Sequence, residues 1–168
     1  MDVPDALNQF CEKIAGRHPI LIRLRPEPWA LDKHCLQNTD RMIVMYGGSS
    51  QTGWQFIYKR LGKARVLVGV HHCVWRSPEG ELTDISPPQK NLLQLGEKVW
   101  FLPDARATLL TPKGCRAGIV RPSLFYPVSR GDSTEELLHR LRRLEKADLA
   151  ARVTIARMTS PAFGTSSR

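Results

Sequence analysis

Between Trp54 and Ser86 the chain carries three runs of extended pattern joined by turns too short for a crossover, and this feature most narrows the folds open to it. WQFIYKR (Trp54–Arg60) leads through Leu61-Gly62-Lys63 into ARVLVGVHHCVW (Ala64–Trp75). Ser77-Pro78-Glu79-Gly80 then turns the chain into ELTDIS (Glu81–Ser86). Parallel neighbours need a crossover of about a dozen residues or more, so these three strands must pair antiparallel, as a meander. Pro87-Pro88 ends the run, and KVWFLP (Lys98–Pro103) predicts an added edge strand.

Helical periodicity flanks this block. Residues 4–15 predict a helix, with Asp2 as cap, Pro4 in the first turn, Gly16 as stop, and Leu7, Phe10 and Ile14 on one face. ILIRL (Ile20–Leu24) reads as a short strand closed by Pro26-Glu27-Pro28. Residues 33–46 predict a second helix, with Asp32 as N-cap and Gly47-Gly48 as stop. From Ala105 to Arg130 five Gly or Pro residues predict irregular structure with one or two short strands. Residues 134–157 carry a capping box, Ser133 with Glu136, and an apolar stripe of Leu137, Leu138, Leu141 and Leu144. The fold expected is α+β: helices packed on a mostly antiparallel meander sheet. One domain spans 1–157, and 158–168 forms a disordered tail.

With 168 residues the chain can bury a core without disulfides. No apolar run approaches the ~18 residues of a membrane span, and MDVPDALNQF lacks the basic-then-apolar pattern of a secretory signal. A cytoplasmic protein with no membrane contact is expected. Cys11, Cys35, Cys73 and Cys115 show no regular spacing, so reduced thiols are expected rather than a disulfide framework. The net charge of +9 favours polyanions, but Lys and Arg are scattered and no nucleic-acid-binding signature is present. Weak, non-specific polyanion contact follows.

The chemistry concentrates on three residues. A thiol is a good nucleophile only as thiolate, and a helix N-terminus and a nearby imidazole both favour that form. Cys35 falls in the first turn of its helix, before backbone N–H groups that have no helical partner. The long strand offers His71 and His72, which alternation sends to opposite faces. His72 shares its face with Val66, Val68, Val70 and Val74. That apolar face is expected to be the one the Cys35 helix covers, so His72 is the partner. Asp84, on the returning strand, can orient the imidazole and stabilise its charged form. His34, Cys35, His71, His72, Cys73 and Asp84 are also possible metal ligands, but no short pair has zinc spacing, and neither metal nor cofactor is expected.

The order of a helix-borne Cys, a strand His and an acid on the adjoining strand resembles that of papain-like and transglutaminase-core enzymes. HCVWRSPEGELTDISP is similar to their histidine-to-aspartate hairpin. Residues 35–87 also resemble a set of uncharacterised bacterial proteins with Cys-x-x-Asn, Gly-Gly…Gly-Trp, His-x-Val-Trp and Gly-x-Leu-x-Asp-(Ile/Val)-x-Pro. Here these are Cys35 and Asn38; Gly47-Gly48 and Gly53-Trp54; His72 to Trp75; and Gly80 to Pro87. The resemblance implies a papain-like or transglutaminase-like core. It also implies an oxyanion donor, for which Asn38 or a backbone N–H near Cys35 stands in; the upstream glutamine of papain-like enzymes has only Gln9 as counterpart. Trp54 and Trp75 are expected to pack the sheet and border the site as substrate-positioning residues. The function expected is a thiol-dependent acyl-group enzyme acting on a protein or peptide-like amide by hydrolysis, deamidation or transamidation. The alternative is a non-enzymatic basic module with a degenerate site, binding nucleic acid or an acidic protein.

Overall fold

A computed structural model describes residues 3–113, 115 and 118–159. The elements run α1 (Val3–Ala15), β1 (Ile20–Leu24), α2 (Cys35–Tyr46), β2 (Ser49–Leu61), β3 (Ala64–Arg76), β4 (Leu82–Asp84), β5 (Gln94–Leu95), β6 (Lys98–Pro103), β7 (Leu124–Pro127) and α3 (Asp132–Thr159). The fold is α+β, and the antiparallel meander β2–β3–β4 is present.

The sheet does not stay an open meander. β1 pairs parallel to β4, with Leu24 opposite Asp84, and antiparallel to β6, with Leu21 opposite Trp100. Because β6 also pairs with β2, the ring β1-β4-β3-β2-β6 closes into a five-stranded barrel. β6 is therefore not an edge strand: it pairs with β1, β2 and β5, and Val99, Phe101 and Leu102 are fully buried. Closure removes open strand edges, which a flat sheet would have to protect.

The barrel is filled by Ile22, Val74, Val99 and Phe101. Burying a ring such as Phe101 contributes roughly 2–3 kcal/mol. Gly53 makes room for that ring, since a Cβ there would lie 2.6 Å from Phe101 Cζ and 2.2 Å from the Leu102 carbonyl oxygen. Outside the barrel, α1 sets Ala6, Leu7 and Phe10 against Phe56, Leu67 and Tyr126. The first half of α3 sets Leu137 and Leu138 against Ile57, Val66 and Val68.

Local signals place most boundaries within a residue or two, with instructive exceptions. α2 begins at Cys35 with His34 as N-cap, so Asp32 does not cap it. α3 begins at Asp132, which puts Ser133 inside the first turn rather than at its cap. Residues 105–130 hold β7, paired with β3, and an isolated bridge between Leu110 and Ile119. Of the expected disordered tail, Met158 and Thr159 continue α3, and 160–168 lie outside the described residues. Among the described residues, no helix is long and apolar enough to cross a membrane.

Candidate active site

The site occupies a gap in strand pairing. On its side away from β2, β3 pairs with β7 over Val66–Gly69 and with β4 at Trp75–Arg76. Val70 to Val74 have no strand neighbour on that side among the described residues, and the N-terminus of α2 fills the gap. Cys35 is the first residue of α2, and its sulfur accepts the backbone N–H of Cys73 and bonds the His72 side chain.

Two devices fix the start of α2. Lys33 adopts a left-handed backbone with φ of 62° and turns the chain into the helix. The Asn38 side chain, one turn after Cys35, reaches back to Leu31: the Leu31 N–H donates to Oδ1 and Nδ2 donates to the Leu31 carbonyl, both at 2.9 Å. Nδ2 also lies 3.4 Å from Ser86 Oγ. The Asn38 amide is thus spent on holding the loop before the nucleophile. The N-cap His34 makes no side-chain hydrogen bond to the first backbone N–H groups of α2.

His72 and Asp84 meet inside the barrel. His72 Nε2 lies 3.1 Å from Asp84 Oδ2, with both side chains buried. The N–H is not well aligned on the carboxylate, so the contact is an ion pair more than a linear hydrogen bond. With Nε2 on Asp84, Nδ1 is left for the thiol. Asp84 is held from two further sides: Gln55 Nε2 donates to Oδ2 at 2.6 Å, and the Ser86 N–H donates to Oδ1 at 3.0 Å.

The electrostatics follow from these contacts. Burial alone would raise the Cys35 thiol. The hydrogen bond and charge of His72, together with the Cys73 N–H, outweigh it and hold the thiol below its ordinary value, against a smaller opposing push from Asp84. Burial would lower His72, but the Asp84 charge and hydrogen bond, with Cys35 adding to both, push it up to about 10. Both shifts favour a thiolate–imidazolium pair. Cys11 and Cys73 lack such partners in sufficient strength, and burial pushes both up to about 12.

His72 is the β3 histidine beside Cys35, but α2 does not cover the valine face as expected. α2 packs on the other face of β3: the Tyr46 ring lies 6.5 Å from the Trp75 ring, and Trp75 Nε1 donates to the Gly47 carbonyl at 2.9 Å. The valine face is covered by α3 at one end and by the barrel interior at the other. Cys35 reaches His72 past the unpaired strand edge, not through a face. His71 is buried on the α1 side, where its Nε2 meets the Ala107 carbonyl at 2.5 Å and its ring meets Trp54 edge-on at 5.8 Å. Burial lowers its pKa, and a neutral ring donating through Nε2 satisfies that contact.

Cys35 and His72 open onto a cavity of about 350 Å³, whose walls include Ser86, Gln89, Arg121 and Asp148. Neither indole expected at the site is among its lining residues. Trp54 is in the α1-side core and donates to Asp104 Oδ2 at 3.3 Å, while Trp75 ties the end of α2 to β3. Gln9, the distant glutamine, accepts from the Tyr126 hydroxyl at 2.7 Å. Sequence reasoning missed Gln55, Ser86 and Gln89. Gln55 did carry a signal, being a polar residue two positions from Gly53 and Ile57 on the inward face of a buried strand. Among the described residues, no three His, Cys, Asp or Glu side chains cluster as metal ligands would. No protein-family model, curated protein or solved structure matches the chain.

Proposed function

We propose that the protein is a thiol-dependent enzyme of acyl groups, acting on amides through Cys35, His72 and Asp84. The observation that carries this reading is the buried relay: a sulfur at a helix N-terminus bonded to His72, whose other nitrogen lies 3.1 Å from a carboxylate, beside an open cavity. A buried charged pair costs stability unless it is well satisfied, and a binding module has no use for a depressed thiol pKa.

The steps follow from the resting charges. The Cys35 thiolate attacks the substrate carbonyl carbon, and the π pair moves to oxygen. The uncapped N–H groups at the start of α2 supply the oxyanion donor, because the Asn38 amide is committed to Leu31. As the tetrahedral species collapses, the C–N bond breaks and the His72 Nδ1 proton passes to the departing nitrogen. This leaves a thioester and a neutral His72. His72 then takes a proton from water, the hydroxide attacks the thioester, and the thiolate leaves, restoring the pair and releasing a carboxylic acid. An amine in place of water gives transamidation by the same steps. A primary side-chain amide as substrate gives deamidation. The order of residues supports kinship in mechanism with papain-like and transglutaminase-core enzymes, and a core of that kind is part of the proposal.

The test is site-resolved labelling of the folded protein with iodoacetamide and a peptidyl acyloxymethyl ketone at neutral pH, read by mass spectrometry. Cys35 should label first, and His72→Ala should abolish its advantage. Equal or slower labelling of Cys35 relative to the more exposed Cys115 would refute the reading.

A further inference from the structure

A second groove adjoins the thiol cavity and carries an unusual share of the positive charge. It has a volume of about 740 Å³, and its walls include Lys13 of α1, Arg106, Arg121 and Arg142 of α3. Among the described residues its one carboxylate is Asp104, which is already committed: Oδ1 accepts the Arg106 backbone N–H and Nε at 3.0 and 3.1 Å, and Oδ2 accepts the Trp54 indole. Among the described residues, Lys13, Arg121 and Arg142 belong to no ion pair. Lys13 instead stands over the Tyr126 ring at 4.9 Å, and Arg121 Nε donates to the Thr108 carbonyl at 2.6 Å. Like charges gathered in one concavity repel, and an anionic occupant relieves that cost. Arg121 also lines the cavity that holds Cys35 and His72, so one guanidinium belongs to both walls.

We propose that this groove is a substrate subsite that binds an acidic segment of a polypeptide whose amide reaches Cys35. The inference rests on the thiol-enzyme reading for the word substrate, and on the groove alone for the binding. Three observations favour an acidic peptide over a nucleic acid. The groove is contiguous with a site built for amides. Three of its four aromatic walls, Phe10, Trp54 and Tyr126, are each at least nine-tenths buried, and Phe125 is partly buried, so at most one ring offers a face on which a base could stack. The cations rim a compact concavity on three separate elements rather than forming the extended stripe that tracks a phosphate backbone. Carboxylates spaced along an extended chain fit such a rim, with Arg121 and Arg142 able to grip them bidentately.

The experiment uses the full chain carrying Cys35→Ser, so that binding is read without turnover. Fluorescein-labelled octaglutamate is titrated by anisotropy, with octalysine and a dT oligonucleotide as comparators. Octaglutamate should bind and weaken with rising salt. The Lys13→Glu/Arg142→Glu variant should weaken it by about tenfold or more. Arg23→Glu/Lys98→Glu, an equal charge change at two exposed residues that face each other across β1 and β6 and line neither cavity, should leave it within about twofold. Lys13→Gln/Arg142→Gln repeats the test should charge reversal impair folding, as read by circular dichroism. Equal losses in the groove and control variants would overturn the proposal. So would dT binding more tightly than octaglutamate and being the ligand that the groove variant loses. If Cys35 labels as an activated thiol while octaglutamate ignores the groove, the subsite fails and the enzyme reading stands. If octaglutamate binds at the groove while Cys35 is inert, the groove is supported and the enzyme reading fails.

Discussion

Replacing Asp84 by asparagine probes the relay at its most buried point. The carboxylate is 1% exposed and serves three partners: His72 Nε2 at 3.1 Å, Gln55 Nε2 at 2.6 Å and the Ser86 N–H at 3.0 Å. Asparagine keeps an oxygen for Ser86, but its NH₂ then faces two donors, the Gln55 amide and the His72 N–H. Either Gln55 flips its amide or a donor goes unpaired, at about 1–3 kcal/mol. The larger effect is on charge. His72 is held near 10 rather than 6.5, a preference for the charged ring worth up to about 5 kcal/mol and owed first to Asp84. Without that charge, burial drives the ring neutral and the thiol loses its stabilising cation. We expect the midpoint of Cys35 alkylation to rise and the rate at pH 7 to fall by roughly 10²–10³-fold. Stability follows the same linkage. The folded pKa of His72 lies above its unfolded value, so the stabilisation is complete below pH 6.5 and is lost as pH rises through about 10. The variant should therefore lose most melting temperature near pH 6 and least near pH 10. The assay is the pH profile of site-resolved iodoacetamide labelling beside thermal melts. A profile superimposable on that of the unmodified protein would refute the reasoning.

Three further perturbations separate the roles around the relay. His72→Ala should remove the advantage of Cys35 in alkylation, whereas His71→Ala should lower stability by about 1–3 kcal/mol through the lost Ala107 contact and leave that advantage in place; the reverse pattern would mean the faces were misassigned. Asn38→Ala should cost about 1–3 kcal/mol in denaturant unfolding, because both Leu31 backbone groups lose partners, and should slow Cys35 by loosening its loop; an unchanged midpoint would refute the stapling role. Gln55→Leu leaves one Asp84 oxygen short of a donor, so Cys35 labelling should slow by about tenfold and its pH midpoint should move; a change in melting temperature alone would make Gln55 merely structural.

The sequence by itself determined most of the local elements and offered Cys35, His72 and Asp84 as the candidate trio. Alternation in Ala64–Trp75 and the short turns around it dictated the meander, because extended chain with two- to four-residue connections has few other ways to pair. The helix start expected at residue 33, after Asp32, put Cys35 in a first turn, where it remains although His34 is the N-cap, and strand parity separated His71 from His72. Those are properties of neighbours in the chain. What only the tertiary structure decided lies between distant segments. β1 joins β4 and β6 across some sixty to eighty residues of sequence, which no local period encodes, and that pairing turns a meander into a barrel. The gap between β7 and β4 on β3 exists only once both have docked, and it is the gap that brings Cys35 to His72 along the strand edge. Asn38, Trp54 and Trp75 read locally as groups beside a nucleophile, but long-range packing gives each a different polar partner: Leu31 with Ser86, Asp104, and the Gly47 carbonyl. A buried polar side chain must find a partner, and which one it finds is set by what the fold carries to it, not by its position in the chain.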